Sequence, residues 1–195
     1  MSFIEHPDYP KLEARMQVLL GSKVAFDEDL IRMVKPRYCS DQDILNGVGG
    51  QRANGRWNLR GFFRCTYASG TPETALAESL SQVRRGTLPD AKALPRMIVC
   101  IRVRVSKALD LTDGKIRQRL GVSEARMTDA TKWKQDNYHN HESLTQAIGR
   151  AAFSAGFEAM VAPSAADRPH GVVIVVFPEK LLTGSLLTVV TPVNP

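Results

Sequence analysis

The 195 residues carry 26 Lys and Arg against 20 Asp and Glu, a formal charge of +6, and 43% of them are hydrophobic. That length holds one domain with a real core, and the ordinary composition excludes a disordered chain, while apolar runs as short as 172–177 exclude a membrane helix. The basic balance points to an anionic counterpart: nucleic acid, a phosphate-rich small molecule and an acidic protein fit the charge equally.

Residues 1–15, MSFIEHPDYPKLEAR, lack the basic-then-apolar order of a secretory signal, so a cytoplasmic location is expected. Leu12, Met16, Leu19 and Leu20 recur at helical spacing, which predicts an amphipathic helix over 11–20 stopped by Gly21-Ser22. Residues 29–35 alternate as a strand, with Leu30, Arg32 and Val34 on one face and Ile31 and Met33 on the other. An arginine between two apolar neighbours either leaves through a sheet edge or points into a polar cavity toward an anion. The strand pattern leaves both open. Residues 37–60 read as a long, glycine-rich, irregular loop, of a length that compact domains tend to keep for function. Its glycines permit turns and close approaches, and Arg52, Arg56, Arg60 and Arg64 set guanidinium groups among them. Trp57, in GRWN, is expected to pin the loop to the core and leave Arg56 and Asn58 facing a cleft.

Residues 62–68 read as an apolar, aromatic strand carrying Tyr67. Thr71 and Pro72 then open a helix over 72–84 as N-cap and first helical residue. Leu76, Leu80 and Val83 form its apolar stripe, and Glu78 falls nearly opposite with Ala75 and Gln82. A solvated carboxylate and a ligand-facing one both fit, and the small Ala75 and Ala77 leave room beside it. After a Pro-containing connector over 88–95, residues 97–105 predict a strand with Met97, Val99, Ile101, Val103 and Val105 inward. Arg102 and Arg104 take its other face, as solvated residues or as part of a basic surface. Residues 109–138 hold two short helical patterns, 114–120 and 123–134, and read as peripheral. A helix over 143–155 turns Leu144, Ile148, Ala151 and Ala152 inward and stops at Gly156. Strands over 157–161 and 172–177 bracket a loop holding Ser164, and 186–193 offers a last strand. Cys39, Cys65 and Cys100 match neither a disulfide framework nor a metal quartet. The histidine spacing gives no ligand set, so no metal is expected.

The stretch over 47–78, GVGGQRANGRWNLRGFFRCTYASGTPETALAE, resembles the RES domain when taken with Ile31-Arg32 upstream and with 145–149, TQAIG, and 162–165, APSA, downstream. That family is named for its Arg, Glu and Ser residues and is best known as the toxin of RES–Xre toxin–antitoxin pairs. The likeness spans roughly residues 30–182. It implies an α+β fold: a single compact domain with a mixed β-sheet core, similar to that of ADP-ribosyltransferases, flanked by helices. It also divides the chain into an N-terminal helical extension, 1–29, and a RES-like NAD-binding domain, 30–195. The signature arginine, glutamate and serine fall on Arg32, Glu78 and Ser164.

The resemblance further implies an enzyme that splits the nicotinamide–ribose bond of NAD, with NAD as substrate. Such a cleavage builds an oxocarbenium-like ribose, which a carboxylate stabilises; Glu78 takes that role. Guanidinium groups grip a pyrophosphate bidentately, which suits Arg32 and Arg56 and, more weakly, Arg52. Tyr67 is placed to stack on nicotinamide, and the Ser164 hydroxyl to bridge ribose and glutamate. Water, inorganic phosphate and a protein side chain all stay open as acceptor of the ADP-ribose. The implied partner is an antitoxin with an Xre-type DNA-binding domain that covers the cleft; a homo-oligomer stays open, and no membrane is involved. The competing reading is a non-catalytic nucleic-acid-binding module using Arg52, Arg56, Arg60, Arg64, Arg102 and Arg104, with Trp57 or Tyr67 stacking on bases. Direct nucleic-acid binding is disfavoured because these arginines interleave with core positions. Gly-rich 47–61 lacks the GK[ST] ending of a P-loop, no G-x-G-x-x-G opens a helix after a strand, and Ser164 in PSA is no nucleophile elbow.

Overall fold

Alternation of apolar residues over a 14-residue strand, Met97–Asp110, supplies the spine of the molecule: Val99, Ile101, Val103 and Val105 are buried on one face. The computed structural model describes residues 3–84 and 94–190, with the main chain alone at 82–84. In chain order the elements are α1 (Tyr9–Leu19), β1 (Val24–Val34), α2 (Asp41–Leu45), α3 (Val48–Arg52), β2 (Thr66–Ser69), α4 (Pro72–Arg84) and β3 (Met97–Asp110). There follow α5 (Gly114–Leu120), α6 (Glu124–Met127), α7 (Lys132–Tyr138), α8 (Leu144–Ala155), β4 (Ala159–Pro163), β5 (Val172–Val176) and β6 (Leu186–Val189).

The strands run in the order β1-β2-β5-β4-β3-β6, and β1 also pairs with β3, so five of them close into a barrel-like ring. β3 and β4 are parallel and the other pairings antiparallel, which makes the sheet mixed and the fold α+β. The β1–β3 ladder is long, from Val24 opposite Ala108 to Val34 opposite Met97. β1 meets β2 only at Ile31 and Ser69, and near this short junction the ring opens toward α4. One apolar cluster joins Leu30, Val34, Ile44, Val99, Ile101, Ile174 and Val176. The second lies under α1 and α8 and holds Leu12, Met16, Leu19, Trp57, Phe63, Ile148 and Phe157. β5 is buried on both faces between them, which suits its uninterrupted VVIVV.

Several sequence expectations change. Residues 37–60 are not irregular: α2 and α3 lie within them, and Ser40 caps α2 by accepting from Asp43 N–H. The strand foreseen over 62–68 is only Thr66–Ser69, because Phe62 stands 54% exposed and Phe63 turns into the helical cluster against Phe153 and Phe177. β1 starts at Val24, earlier than the pattern suggested, since its first half is held by pairing with β3 rather than by burial. On α4 it is Thr74, Ala75 and Leu80 that are buried, while Leu76 is exposed; the side chain of Val83 lies outside the described residues. The strand foreseen over 157–161 is displaced to 159–163. Residues 88–93 and 191–193, assigned above to a connector and to the end of a last strand, also lie outside the described residues.

Candidate active site

Thr71 accepts from Thr74 N–H at 3.1 Å and so fixes the start of α4, and the helix then carries Glu78 to the mouth of the ring. Glu78 Oε1 accepts from Ser164 Oγ at 2.6 Å and from Ala165 N–H at 3.3 Å, and it lies 3.9 Å from Arg56 Nη2. Ser164 Oγ in turn accepts from the N–H groups of Ala166 and Asp167, at 3.1 and 3.0 Å. Asp167 ties the loop back to α4 by accepting from Thr74 Oγ1 at 2.6 Å. The carboxylate is thus carried by α4 and gripped by the loop that follows β4, which Asp167 fastens to the same helix.

Arg56 is buried, and its guanidinium donates to Pro163 O at 3.1 Å and Met127 O at 3.4 Å. The Tyr67 hydroxyl is spent on the GRWN loop: it donates to Asn58 Oδ1 at 2.8 Å and accepts from Trp57 N–H at 3.0 Å. Burial, reinforced by the neighbouring Cys65, pushes its pKa well above the usual phenol value, so the ring is neutral. Gly55 makes this arrangement possible, because a Cβ there would stand 2.4 Å from Asn58 Oδ1 and 2.8 Å from the Tyr67 hydroxyl.

Arg32 stands between the core residues Leu30 and Val34 and donates to Tyr67 O, yet its buried Nε has no hydrogen-bond partner. Burial lowers its pKa to about 10, so it remains a cation at neutral pH, and no carboxylate pairs with it among the described residues. A buried cation with a spare donor is suited to hold an anion. Arg32, Arg56, Tyr67, Glu78 and Ala165 line one cleft of about 250 Å³, with Ser164 buried just behind Glu78.

Arg32, Arg56, Tyr67, Glu78 and Ser164, singled out above, therefore lie together, whereas Arg52 is exposed and not part of the cleft wall. Asn58 faces inward rather than into the cleft, and its amide is used up on Gly50 O, Ala53 O and the tyrosine. Residues 109–138 are not merely peripheral: α6 supplies the Met127 carbonyl and α7 adds Trp133 and Lys134 to the cleft wall, where Arg96 also lies. Nothing local marked those side chains, since helices this short show no stripe. Gln146 was more visible, because Ser143-x-x-Gln146 is a capping-box pattern. Its amide donates to Gly55 O at 2.9 Å and to Asn58 O at 3.3 Å, holding the GRWN loop against α8. Among the described residues no group of three or more His, Cys, Asp or Glu is arranged to hold a metal ion, and no helix is long and apolar enough to cross a membrane.

The residues named for the nucleic-acid reading do not form one surface: Trp57 is fully buried, Arg102 pairs with Asp27 at 2.8 Å and Asp29 at 3.2 Å, and Arg104 with Asp27 at 3.6 Å, while Arg52, Arg60 and Arg64 are exposed.

Among known proteins, the chain is 24% identical over 176 residues to the NAD(+) phosphorylase MbcT of Mycobacterium bovis and of Mycobacterium tuberculosis, 83% of this chain and 88% of theirs. The crystal structure of the M. tuberculosis MbcT–MbcA toxin–antitoxin complex contains a chain of the same fold, with a TM-score of 0.70 at 21% identity, covering 92% of this chain and 89% of that one. The RES domain family model matches residues 29–189, most of the chain, so the protein belongs to the RES domain family.

Proposed function

We propose that this protein is an NAD-consuming toxin that cleaves the nicotinamide–ribose bond, with inorganic phosphate as the favoured acceptor. The observation that carries the reading is the Glu78 carboxylate, held at the cleft by Ser164 Oγ at 2.6 Å and Ala165 N–H at 3.3 Å beside cationic Arg56 and Arg32. When the C1″–N bond breaks, its electron pair leaves with nicotinamide and positive charge develops on the ribose. A fixed carboxylate stabilises that charge more than it stabilises the ground state. Arg32 supplies an unfulfilled donor to a phosphate oxygen. Tyr67, its hydroxyl already bonded, offers a ring face to the nicotinamide.

A phosphate oxygen attacking C1″ would yield ADP-ribose 1″-phosphate, and the name of the mycobacterial relatives favours this acceptor over water or a protein side chain. Their known complex likewise motivates a protein antitoxin; that it carries an Xre-type DNA-binding domain and occludes the cleft, in cells whose cytosolic NAD is the target, is our extension from the RES resemblance. The test is to incubate the purified protein with NAD, with and without phosphate, and to quantify nicotinamide. Release that rises with phosphate and falls at least a hundredfold in Glu78→Gln is expected. Absence of release, or equal release by the variant, overturns the reading.

A further inference from the structure

The cleft has a second wall that the bond-breaking residues leave unused. α7 packs against α8 and presents Trp133 and Lys134 to the same cavity as Glu78. Trp133 is half-buried, and Lys134 Nζ lies 5.6 Å from the centroid of its ring. Among the described residues that line the cavity, Tyr67 and Trp133 are the two aromatic ones. The other tryptophan, Trp57, is fully buried and is not among the residues that line the cleft.

NAD carries two flat bases joined by a pyrophosphate. On the reading above, Tyr67 and Glu78 take the nicotinamide and its ribose, because the carboxylate must lie against the bond that breaks. Tyr67 is pinned by its hydroxyl and contributes only at that end. A dinucleotide lying in the cleft then has one base left over, and the wall has one ring left over. From this juxtaposition we infer that Trp133 is the adenine-stacking shelf of the cleft and that Lys134 beside it takes a phosphate oxygen of the adenosine diphosphate half. The inference rests on the proposed NAD reading and adds to it the part of the molecule that selects an adenine dinucleotide over a smaller nicotinamide riboside.

Chemistry supports the assignment of each group. An indole gives the largest stacking face of any side chain and tolerates a base without hydrogen-bonding it. An ammonium group is a point charge that suits a flexible phosphate rather than a planar fork. The charge of the wall agrees: Arg32, Arg56, Arg96 and Lys134 face one carboxylate, Glu78.

The experiment uses ADP, which contains the adenosine diphosphate half and no scissile bond. Binding to the whole protein is followed by calorimetry and by tryptophan fluorescence, with Trp133→Phe reporting what Trp57 alone contributes to the signal. ADP should bind and quench the emission. Trp133→Ala should weaken ADP about tenfold or more, as lost base stacking does, while Trp133→Phe keeps most of the affinity. Lys134→Ala should weaken ADP yet leave adenosine unchanged. Equal ADP affinity in Trp133→Ala, unchanged fluorescence at saturating ADP, or no ADP binding each overturns the shelf. If Trp133→Ala fails to fold, Trp133→Phe and the wild-type quench still decide. Nicotinamide release by the wild type, measured in parallel, separates the two readings. Release without ADP binding overturns the shelf alone, and ADP binding that depends on Trp133 without release overturns the enzyme alone.

Discussion

Ser164 has its hydroxyl fully committed: the proton goes to Glu78 and the lone pairs accept from Ala166 and Asp167 N–H. A hydroxyl so used is poorly suited to be a nucleophile, and on the proposed reading it holds the carboxylate's position. Ser164→Ala should therefore lower kcat for nicotinamide release by about 10- to 100-fold, the equivalent of one lost positioning bond of ~1–3 kcal/mol, without abolishing it. Loss to background would make Ser164 a direct participant. Arg32 presents the opposite case, a charge whose burial is not offset by any carboxylate among the described residues. Replacing it with methionine removes that desolvation cost and keeps much of the volume, so the apo protein should melt at the same or a higher temperature while NAD affinity falls by an order of magnitude or more. A variant that melts lower and still binds NAD would show that the arginine is structural.

At the scale of the element, α8 shows how a helix can be legible and still hide its purpose. Its cap, its inward stripe and its Gly156 stop are all local, so the pattern predicted the helix almost to the residue. What no pattern disclosed is that Gly149 touches the GRWN loop: a Cβ there would come within 1.9 Å of Trp57 O. Gly149→Ala gains roughly 1 kcal/mol of helix propensity but forces that backbone contact apart, and overpacking of this kind costs about 1–3 kcal/mol. Net destabilisation in urea unfolding is expected, with a change in Trp57 emission; a stabilised variant would mean that the loop yields freely. Elements whose order comes from distant partners were the ones misread. The first half of β1 has exposed side chains and exists because it pairs with 104–108, and α2 and α3 were hidden by the glycine content around them. Leu76 was assigned to the core by helical spacing, yet the face of α4 turned to the ring is the one carrying Ala75 and Glu78. The arginine, glutamate and serine were legible through the family pattern, whereas Trp133 and Lys134 were not, because α7 reaches the cleft only through tertiary packing.

For the whole molecule, closing the ring requires β3 to change partners, from β6 at Ile101–Arg104 to β4 at Ala108–Asp110. Between the two pairings the N–H groups of Ser106 and Lys107 lose a strand acceptor. Glu158, fully buried ahead of β4, takes both at 3.0 Å through Oε2, along with the Ser106 hydroxyl. Its Oε1 accepts from Leu182 N–H at 3.0 Å and from the Ser185 hydroxyl, which fastens the approach to β6. One carboxylate thus ties three strands where the sheet would otherwise gape. Burial raises its pKa, but the bonds from Ser185, Leu182 and Ser106 outweigh it, and the net shift is below the ordinary 4.5. A depressed folded-state pKa contributes stability that is complete above the unfolded value and drains away as pH falls through the folded one. Glu158→Gln brings an NH₂ donor up against N–H donors and should cost about 3 kcal/mol near neutrality. The gap between variant and wild type should stay level from pH 8 to about 5 and narrow as the wild-type carboxylate is protonated below it. Urea unfolding across that range reads the gap directly, and a difference that widens in acid would mean that the carboxylate is not what holds the ring shut.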